Sequence, residues 1–548
     1  MEKEITAESV WKEYLKGEDY HERIGLHERV KRNEEFYNGD QWKGLNAPNL
    51  EKPVINIFHP AVTYFISQIV SDDIGFQLDP YIETDEKDHV CKVLTDQLDR
   101  ITENAKEKSK IRELVRDAAI DGDGALYYYF DPSIGTEGEI CAEVIDNDKV
   151  IFCNPYLQDV QKQKYIILVK RMMVCEAREL AKSYGIPEDE ANGITADDER
   201  DYAGESKEKE QELCTILLRF WRENGKICFC ESAKNMMLRE KVTTGQKLYP
   251  VVWFPWEKVK NGYHGAAALT SYIPNQIYVN KMWAMAMTFS EKMAFPTRLY
   301  DASKLPQGLS NRIGQAIGVP GSPKESVFID TPSGNMSDQV LGLVQQTIDY
   351  TRMSMGVSDA ALGDIKPENT SAIIAVQEAA AAPLEIQRRG LHQAVEDGVL
   401  IKLDLIREFY GLRAITDEVT DPLTGETYKA EVNFDFRGID FDSFETKVNV
   451  GQTTYWSELM AIQTMDALFS KGILTDAVTY LESLPDGFVP HRTEIIDKIK
   501  EQQQAAMMAM VPPELPTDPA AQPATAEAIE GETNAQKMVE NLRANQSL

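Results

Sequence analysis

The sequence predicts an α+β protein built in several parts, and three observations predict it. Helical periodicity fills residues 6–38 and 84–120. After Asp121-Gly122-Asp123-Gly124 the period changes, and short β-branched or aromatic runs at 125–130, 140–145, 150–153, 165–169, 213–221, 227–230 and 251–254 read as strands. Beyond them helices return: one of about twenty residues, a second after a Pro/Gly-punctuated excursion, and a third, longer run. Strands and helices are segregated rather than alternating as βαβ units, so the sheet is expected to be mainly antiparallel.

In chain order, residues 6–38 form a charged helical pattern with an apolar side of Val10, Tyr14, Leu15, Ile24, Leu26, Val30 and Phe36, stopped by Asn38-Gly39. Residues 51–72 read as an extended piece before Pro60 followed by a helix, and residues 84–120 as one or two charged helices. Asp121–Gly124 is a turn into a strand and lacks the later ligands of a calcium loop. The polar stretch 188–212 is expected to be a mobile surface loop, with Asp197-Asp198 a solvated pair rather than a metal site.

Residues 265–410 organise the rest. A helix bracketed by Pro274 and Pro296 carries Ile277, Val279, Met282, Trp283, Met285, Met287, Phe289 and Met293, apolar on nearly every side. Such a helix is buried all round or packed between neighbours. The excursion 295–336 follows, then a helix at 337–355, a segment with Gly363 and Pro367 at 356–370, and a long helix at 371–410. That last helix carries one stripe: Ile373, Val376, Ala380, Leu384, Leu391, Val395, Val399, Leu403, Ile406 and Tyr410. Pro383 should kink it and Gly411 should cap it. Residues 428–438 offer one or two strands that could rejoin the sheet, and residues 455–510 return to helix. The Pro-, Ala- and Glu-rich segment 511–548 cannot bury a core and is expected to be mostly disordered, with a short helix at 535–543.

The formal net charge of −31 argues against a surface that coats nucleic acid by neutralising phosphates. It is compatible with a channel that must not grip DNA. Seven scattered cysteines read as free thiols, with Cys228 and Cys230 on one face of a strand. No signal-peptide pattern opens the chain and no apolar window reaches the roughly 20 residues of a membrane span, so a soluble intracellular protein is expected. No Walker A pattern and no H-E-x-x-H occurs. The seven histidines form no cluster along the chain, and His264 reads as a packed residue. No catalytic residue, cofactor or metal ligand is expected.

The order helix, excursion, helix, loop, long helix resembles the core of the tailed-bacteriophage portal proteins. Two stretches resemble them in wording: "GVSDAALGDIKPENTSAIIAVQEAAAAPLE" at 356–385, running from a tunnel loop into the long helix, and "RNEEFYNGDQW" at 32–42. The resemblance covers most of residues 20–500 and rests mainly on the order of elements. It implies a wing (1–262), stem helix (263–294), clip (295–336), second stem helix (337–355), tunnel loop (356–370), long wing helix with returning strands (371–452), helical crown (453–510) and tail (511–548).

It further implies a ring, dodecameric in the family, at one capsid vertex of the virion and assembled in the host cytoplasm. Double-stranded DNA would pass without sequence readout during packaging and ejection. Partners would be terminase, a head–tail adaptor, and capsid and scaffolding proteins, with no membrane. On that reading Asp349, Asp359, Asp364, Lys366 and Glu368 would face the channel. Met282, Trp283, Met285, Met287 and Phe289 would meet the neighbouring subunit, and Arg298, Lys304, Arg312 and Lys324 would serve clip docking. Two rival readings are a metal-dependent nuclease using acidic residues and a structural scaffold without a channel.

Overall fold

The computed structural model describes residues 5–46, 50–70, 74–80, 84–197, 213–294, 298–300, 328–330, 338–357, 381–420, 427–439 and 444–450, and short pieces at 465, 469–471, 480–481, 496 and 498–499. The chain divides into two compact units, Met1–Thr453 and Thr454–Leu548. In the second, the rings of Phe469 and Tyr480 pack with centroids 4.8 Å apart. Most of the expected crown and all of the expected tail lie outside the described residues.

In the first unit, α1 (Ala7–Arg23) opens on a reciprocal cap in which Thr6 and Ser9 exchange side-chain and backbone hydrogen bonds. The charged pattern at 6–38 is two helices, not one. Gly25 adopts φ +62°, a left-handed turn that ends the first axis and lets α2 (Leu26–Asn38) begin another. Asn38-Gly39 stops α2 as its turn chemistry requires. Then come α3 (Phe58–Ile69), with Pro60 in its first turn, β1 (Ile74–Pro80), α4 (Asp85–Asn104) and α5 (Glu107–Asp121).

All the runs read as strands before residue 255 are strands. They are β2 (Asp123–Asp131), β3 (Glu139–Ile145), β4 (Val150–Phe152), β5 (Tyr165–Met173), β6 (Leu213–Glu223), β7 (Lys226–Ser232), β8 (Met237–Thr243) and β9 (Val251–Pro255). They make two antiparallel sheets, β3-β2-β9 and β4-β5-β6-β7-β8. Alternation along β2 explains the layering. Leu126 and Tyr128 face a core shared with α3, α4 and α5, whereas Ala125 and Tyr127 face the larger sheet. The other face of that sheet, with Ile151, Ile167, Leu217, Trp221, Cys228 and Cys230, packs on Val10, Trp11 and Tyr14 of α1. All seven cysteines are free thiols.

Between β5 and β6 lie α6 (Val174–Ser183) and the single turn α7 (Glu188–Ala191). Part of the expected surface loop is therefore ordered, and Asp197 is not solvated. Its side chain is buried, pairs with Arg171 on β5 and accepts the Thr215 amide of β6 at 2.6 Å. Charge density in the sequence cannot reveal a buried partner 26 residues away.

After β9 come α8 (Ile273–Ala294), β10 (Arg298–Tyr300), β11 (Phe328–Asp330), α9 (Asp338–Ser354) and α10 (Glu385–Phe409). β10 and β11 pair antiparallel inside the excursion. Pro383 sits in a 3₁₀ turn (Ala382–Leu384) that leads into α10. Every described member of the apolar stripe, from Leu384 to Tyr410, is buried, while Ile373, Val376 and Ala380 lie outside the described residues.

One strand expectation is corrected. Tyr428–Gly438 does not rejoin the wing sheets. β13 (Thr427–Asp435) pairs with β12 (Leu412–Thr420) as a separate hairpin, and β14 (Phe444–Val450) pairs with β1 near the start of the chain. The overall class is α+β, as expected.

Candidate functional site

Two places combine polar chemistry with exposed surface: the α8–α9 helix pair and a cleft beside α1 and α2.

The helix pair is held by few but specific contacts. Val279 of α8 packs with Val344 and Ile348 of α9 and with Ile57 in a small core, alongside Met282 and Trp283. At one end the Asn275 amide donates to Thr351 Oγ1 at 3.0 Å and the Tyr272 hydroxyl donates to the Ser354 carbonyl at 2.9 Å. Gln276 and Asn280, one turn apart and both buried, act as a backbone mimic for the extended segment before α3. Gln276 Oε1 accepts the Ile57 amide, its Nε2 donates to the Ile55 carbonyl, and Asn280 Oδ1 accepts the Ile55 amide. Two amides on an otherwise apolar helix are thus satisfied, as buried polar groups must be.

Much of the rest of the pair is exposed. On α8, Ile277, Met285, Met287 and Met293 are each at least 40% exposed. On α9 the same holds for Leu341, Leu343, Tyr350 and Met353, the last 72% exposed. Trp283 is half-buried, and its Nε1 donor is shielded from solvent yet has no hydrogen-bond partner among the described residues. Met282 and Phe289 are also half-buried. Among the described residues, the helix read as apolar all round is covered on one side only.

Of the residues expected at the channel, Asp349 is exposed on α9 and accepts from the Gln345 amide at 2.9 Å. Asp359, Asp364, Lys366 and Glu368 lie outside the described residues, as do Lys304, Arg312 and Lys324, while Arg298 is described as a backbone position of β10.

The cleft, about 700 Å³, is lined by ten carboxylates, including Glu18, Glu34, Asp117, Asp121 and Asp148, against five Lys and Arg side chains. Glu34, Asp117 and Asp121 each bring an oxygen within 4.8 Å of the other two. Arg116 already sits on the first two, at 2.9 Å from Glu34 and 2.8 Å from Asp117. Burial pushes the Asp121 carboxyl up to about 9, with Glu34 and Asp117 adding to the effect.

Three of the seven histidines, scattered in sequence, do meet in space, which corrects the reading that the histidines make no cluster. The His21 ring centroid lies 5.7 Å from that of His27 and 5.1 Å from that of His264. His264 Nδ1 is 2.8 Å from Asp123 Oδ2, and Asp123 Oδ1 accepts the Gly265 amide, so the turn after α5 anchors the chain entering α8. Burial holds His264 below its ordinary value against the pull of Asp123, so the ring is neutral with its Nδ1–H on the carboxylate. Burial opposes charge on Glu18 and His27 too. Even so, the His21 and His27 rings bring Glu18 down to about 2, and Asp148 and Glu18 bring His27 up to about 9. The available signal was Glu18-x-x-His21, two residues one turn apart on α1. His27 and His264 join them only through the fold.

No protein-family model matches the chain, and no curated protein matches its sequence. Among the described residues no helix is long and apolar enough to cross a membrane.

Proposed function

We propose that this chain is a subunit of a tailed-bacteriophage portal, a ring through which double-stranded DNA is packaged and ejected. The observation that carries the proposal is the α8–α9 pair. Two adjacent helices, connected through the excursion at 295–336, each carry exposed apolar side chains that the described residues leave uncovered. Exposed apolar surface of that kind marks a docking face. Methionine-rich helices suit repeated packing between copies, because unbranched thioether side chains adapt to neighbours. The Trp283 N–H, shielded and without an acceptor among the described residues, is the kind of donor a neighbouring copy would satisfy. On this reading the pair is the stem, the excursion with β10 and β11 is the clip that docks terminase and adaptor, and the segment after α9 is the tunnel loop. A net charge of −31 per copy keeps the duplex from adhering, and the mechanism is mechanical and electrostatic, not catalytic.

A metal-dependent nuclease would need the acidic cleft. The cleft suits it poorly: its excess of carboxylates repels phosphate, Arg116 fills the position a cation would take, and Asp121 holds a proton at neutral pH.

Native mass spectrometry and electron microscopy of the purified chain test the proposal. The expected result is a closed ring with a central channel. M285D with M353D should shift the ring to monomer while leaving thermal stability of the monomer within about 0.5 kcal/mol, as for other exposed substitutions. A monodisperse monomer that degrades DNA with Mg²⁺ would overturn the proposal in favour of the enzyme. A ring without a channel would favour the plain scaffold.

A further inference from the structure

We propose that Glu18, His21 and His27 form a binding site for one divalent transition-metal ion of the zinc class, a site that does not depend on the assembly reading above. Glu18 and His21 stand one turn apart on α1, and the left-handed turn at Gly25 brings His27, at the start of α2, back to them. One ligand atom from each lies within 4.8 Å of the other two.

The hydrogen-bond pattern around His21 supplies the second observation. His21 is fully buried. The Tyr263 hydroxyl has a single hydrogen, which it donates to the Val150 carbonyl at 3.2 Å. With that hydrogen on Val150, its oxygen accepts from His21 Nε2, 2.9 Å away. That places the proton of a neutral His21 on Nε2 and leaves the Nδ1 lone pair inside the site. Among the described residues Nδ1 has no hydrogen-bond partner, and Glu18 Oε1 is 3.6 Å away. The buried His21 Nδ1 and the Glu18 carboxylate therefore face each other at 3.6 Å, a spacing that a bound cation can bridge.

The remaining donors agree. His27 Nε2 is 3.1 Å from Glu18 Oε2, and His27 Nδ1 is 3.6 Å from Asp148 Oδ2. His27 Nε2 shares a proton with Glu18 Oε2, and a metal ion entering the site would displace that proton while Nδ1–H stays directed at Asp148. This is the carboxylate–imidazole arrangement that orients metal-binding histidines. Donors around a tetrahedral ion with bonds of about 2.1 Å are about 3.4 Å apart, close to the spacings here. Two imidazoles and a carboxylate suit zinc, cobalt or nickel better than magnesium or calcium. Glu18 and His27 also line the cleft, so a water can complete the coordination. Bound there, the ion would tie α1 to α2 and, through Asp148, to the turn before β4.

The test uses the full chain, stripped with a chelator and titrated with Co²⁺ and then Zn²⁺. The expected result is one Co²⁺ per chain with visible ligand-field bands, no thiolate charge-transfer absorption, and displacement by Zn²⁺. H21Q and H27Q should each weaken binding by about 100-fold or more, and D148N by about 10-fold with its fold intact by circular dichroism. H59Q, outside the cluster, should bind like the parent. The proposal is overturned by the absence of saturable uptake, by uptake equal in the parent and D148N, or by thiolate bands that place the ion on cysteines.

Discussion

The long helix after the paired helices is locked to the N-terminal half of the chain by a buried ion pair, and cutting it should be costly. Lys402 Nζ lies 2.7 Å from Glu107 Oε2, with side chains 1% and 4% exposed. Thr102 Oγ1 donates to the same carboxylate oxygen at 3.1 Å, the Tyr128 hydroxyl donates to Glu107 Oε1, and Lys402 also reaches Thr102 Oγ1 at 3.0 Å. Burial alone would push the Glu107 carboxyl up, but the Lys402 ammonium and the two hydroxyl donors hold it below its ordinary 4.5. E107A strands a buried ammonium and a buried phenol together, so we expect a loss of about 3–5 kcal/mol. K402M leaves the carboxylate two donors and should fall at the low end of that range. E107A/K402M removes both charges and should cost at least about 2 kcal/mol less than the sum of the singles. Urea unfolding followed by tryptophan fluorescence measures all three. Because the native carboxyl is depressed, its contribution is present above pH 4.5 and is lost as the pH falls through the native value. Without Lys402, burial raises the Glu107 carboxyl, so the gap between parent and K402M should narrow as the pH falls through that raised value and on through the depressed parent one. An E107A loss under about 1 kcal/mol, or additivity within about 0.5 kcal/mol, would refute the lock.

Three further outcomes follow from individual positions. Asp121 is raised to about 9 from its ordinary 3.8, so its ionisation opposes folding increasingly as pH rises between those values. D121N should gain about 2 kcal/mol relative to the parent on going from pH 5 to pH 8, half the full linkage slope, and a flat difference would show the carboxyl to be ordinary. Gly122 has φ +107°, and a Cβ there would lie 2.8 Å from the Gly265 carbonyl oxygen. G122A should cost about 2–3 kcal/mol in thermal unfolding, and a neutral result would mean the turn relaxes freely. D197A removes the carboxylate shared by Arg171 and Thr215 and should cost about 3 kcal/mol, whereas a solvated acid would cost almost nothing.

The sequence by itself determined the elements whose signals are local. Strand runs, the stripe of α10, the Asn38-Gly39 stop and the Pro274 start all depend on side-chain periodicity or backbone preference within a few residues. The apolar character of α8 was legible too, as was the punctuated excursion between the two paired helices.

Only the tertiary structure decided which residues meet across the chain. Nothing local pairs β1 with β14, or sends Tyr428–Gly438 into a hairpin with β12 and away from the wing sheets, because strand pairing is a long-range choice. Lys402 lies beside an apolar stripe, and nothing local marks its pairing with Glu107 295 residues away. Asp197 looked like part of a charge run because its partners belong to two different strands. His21 and His27 are six positions apart and His264 is far downstream, so a motif search sees no cluster. One left-handed turn at Gly25 and one anchoring carboxylate at Asp123 bring the three rings together. Buried polar partners are set by where elements dock, and docking is a property of the whole core, not of any stretch within it.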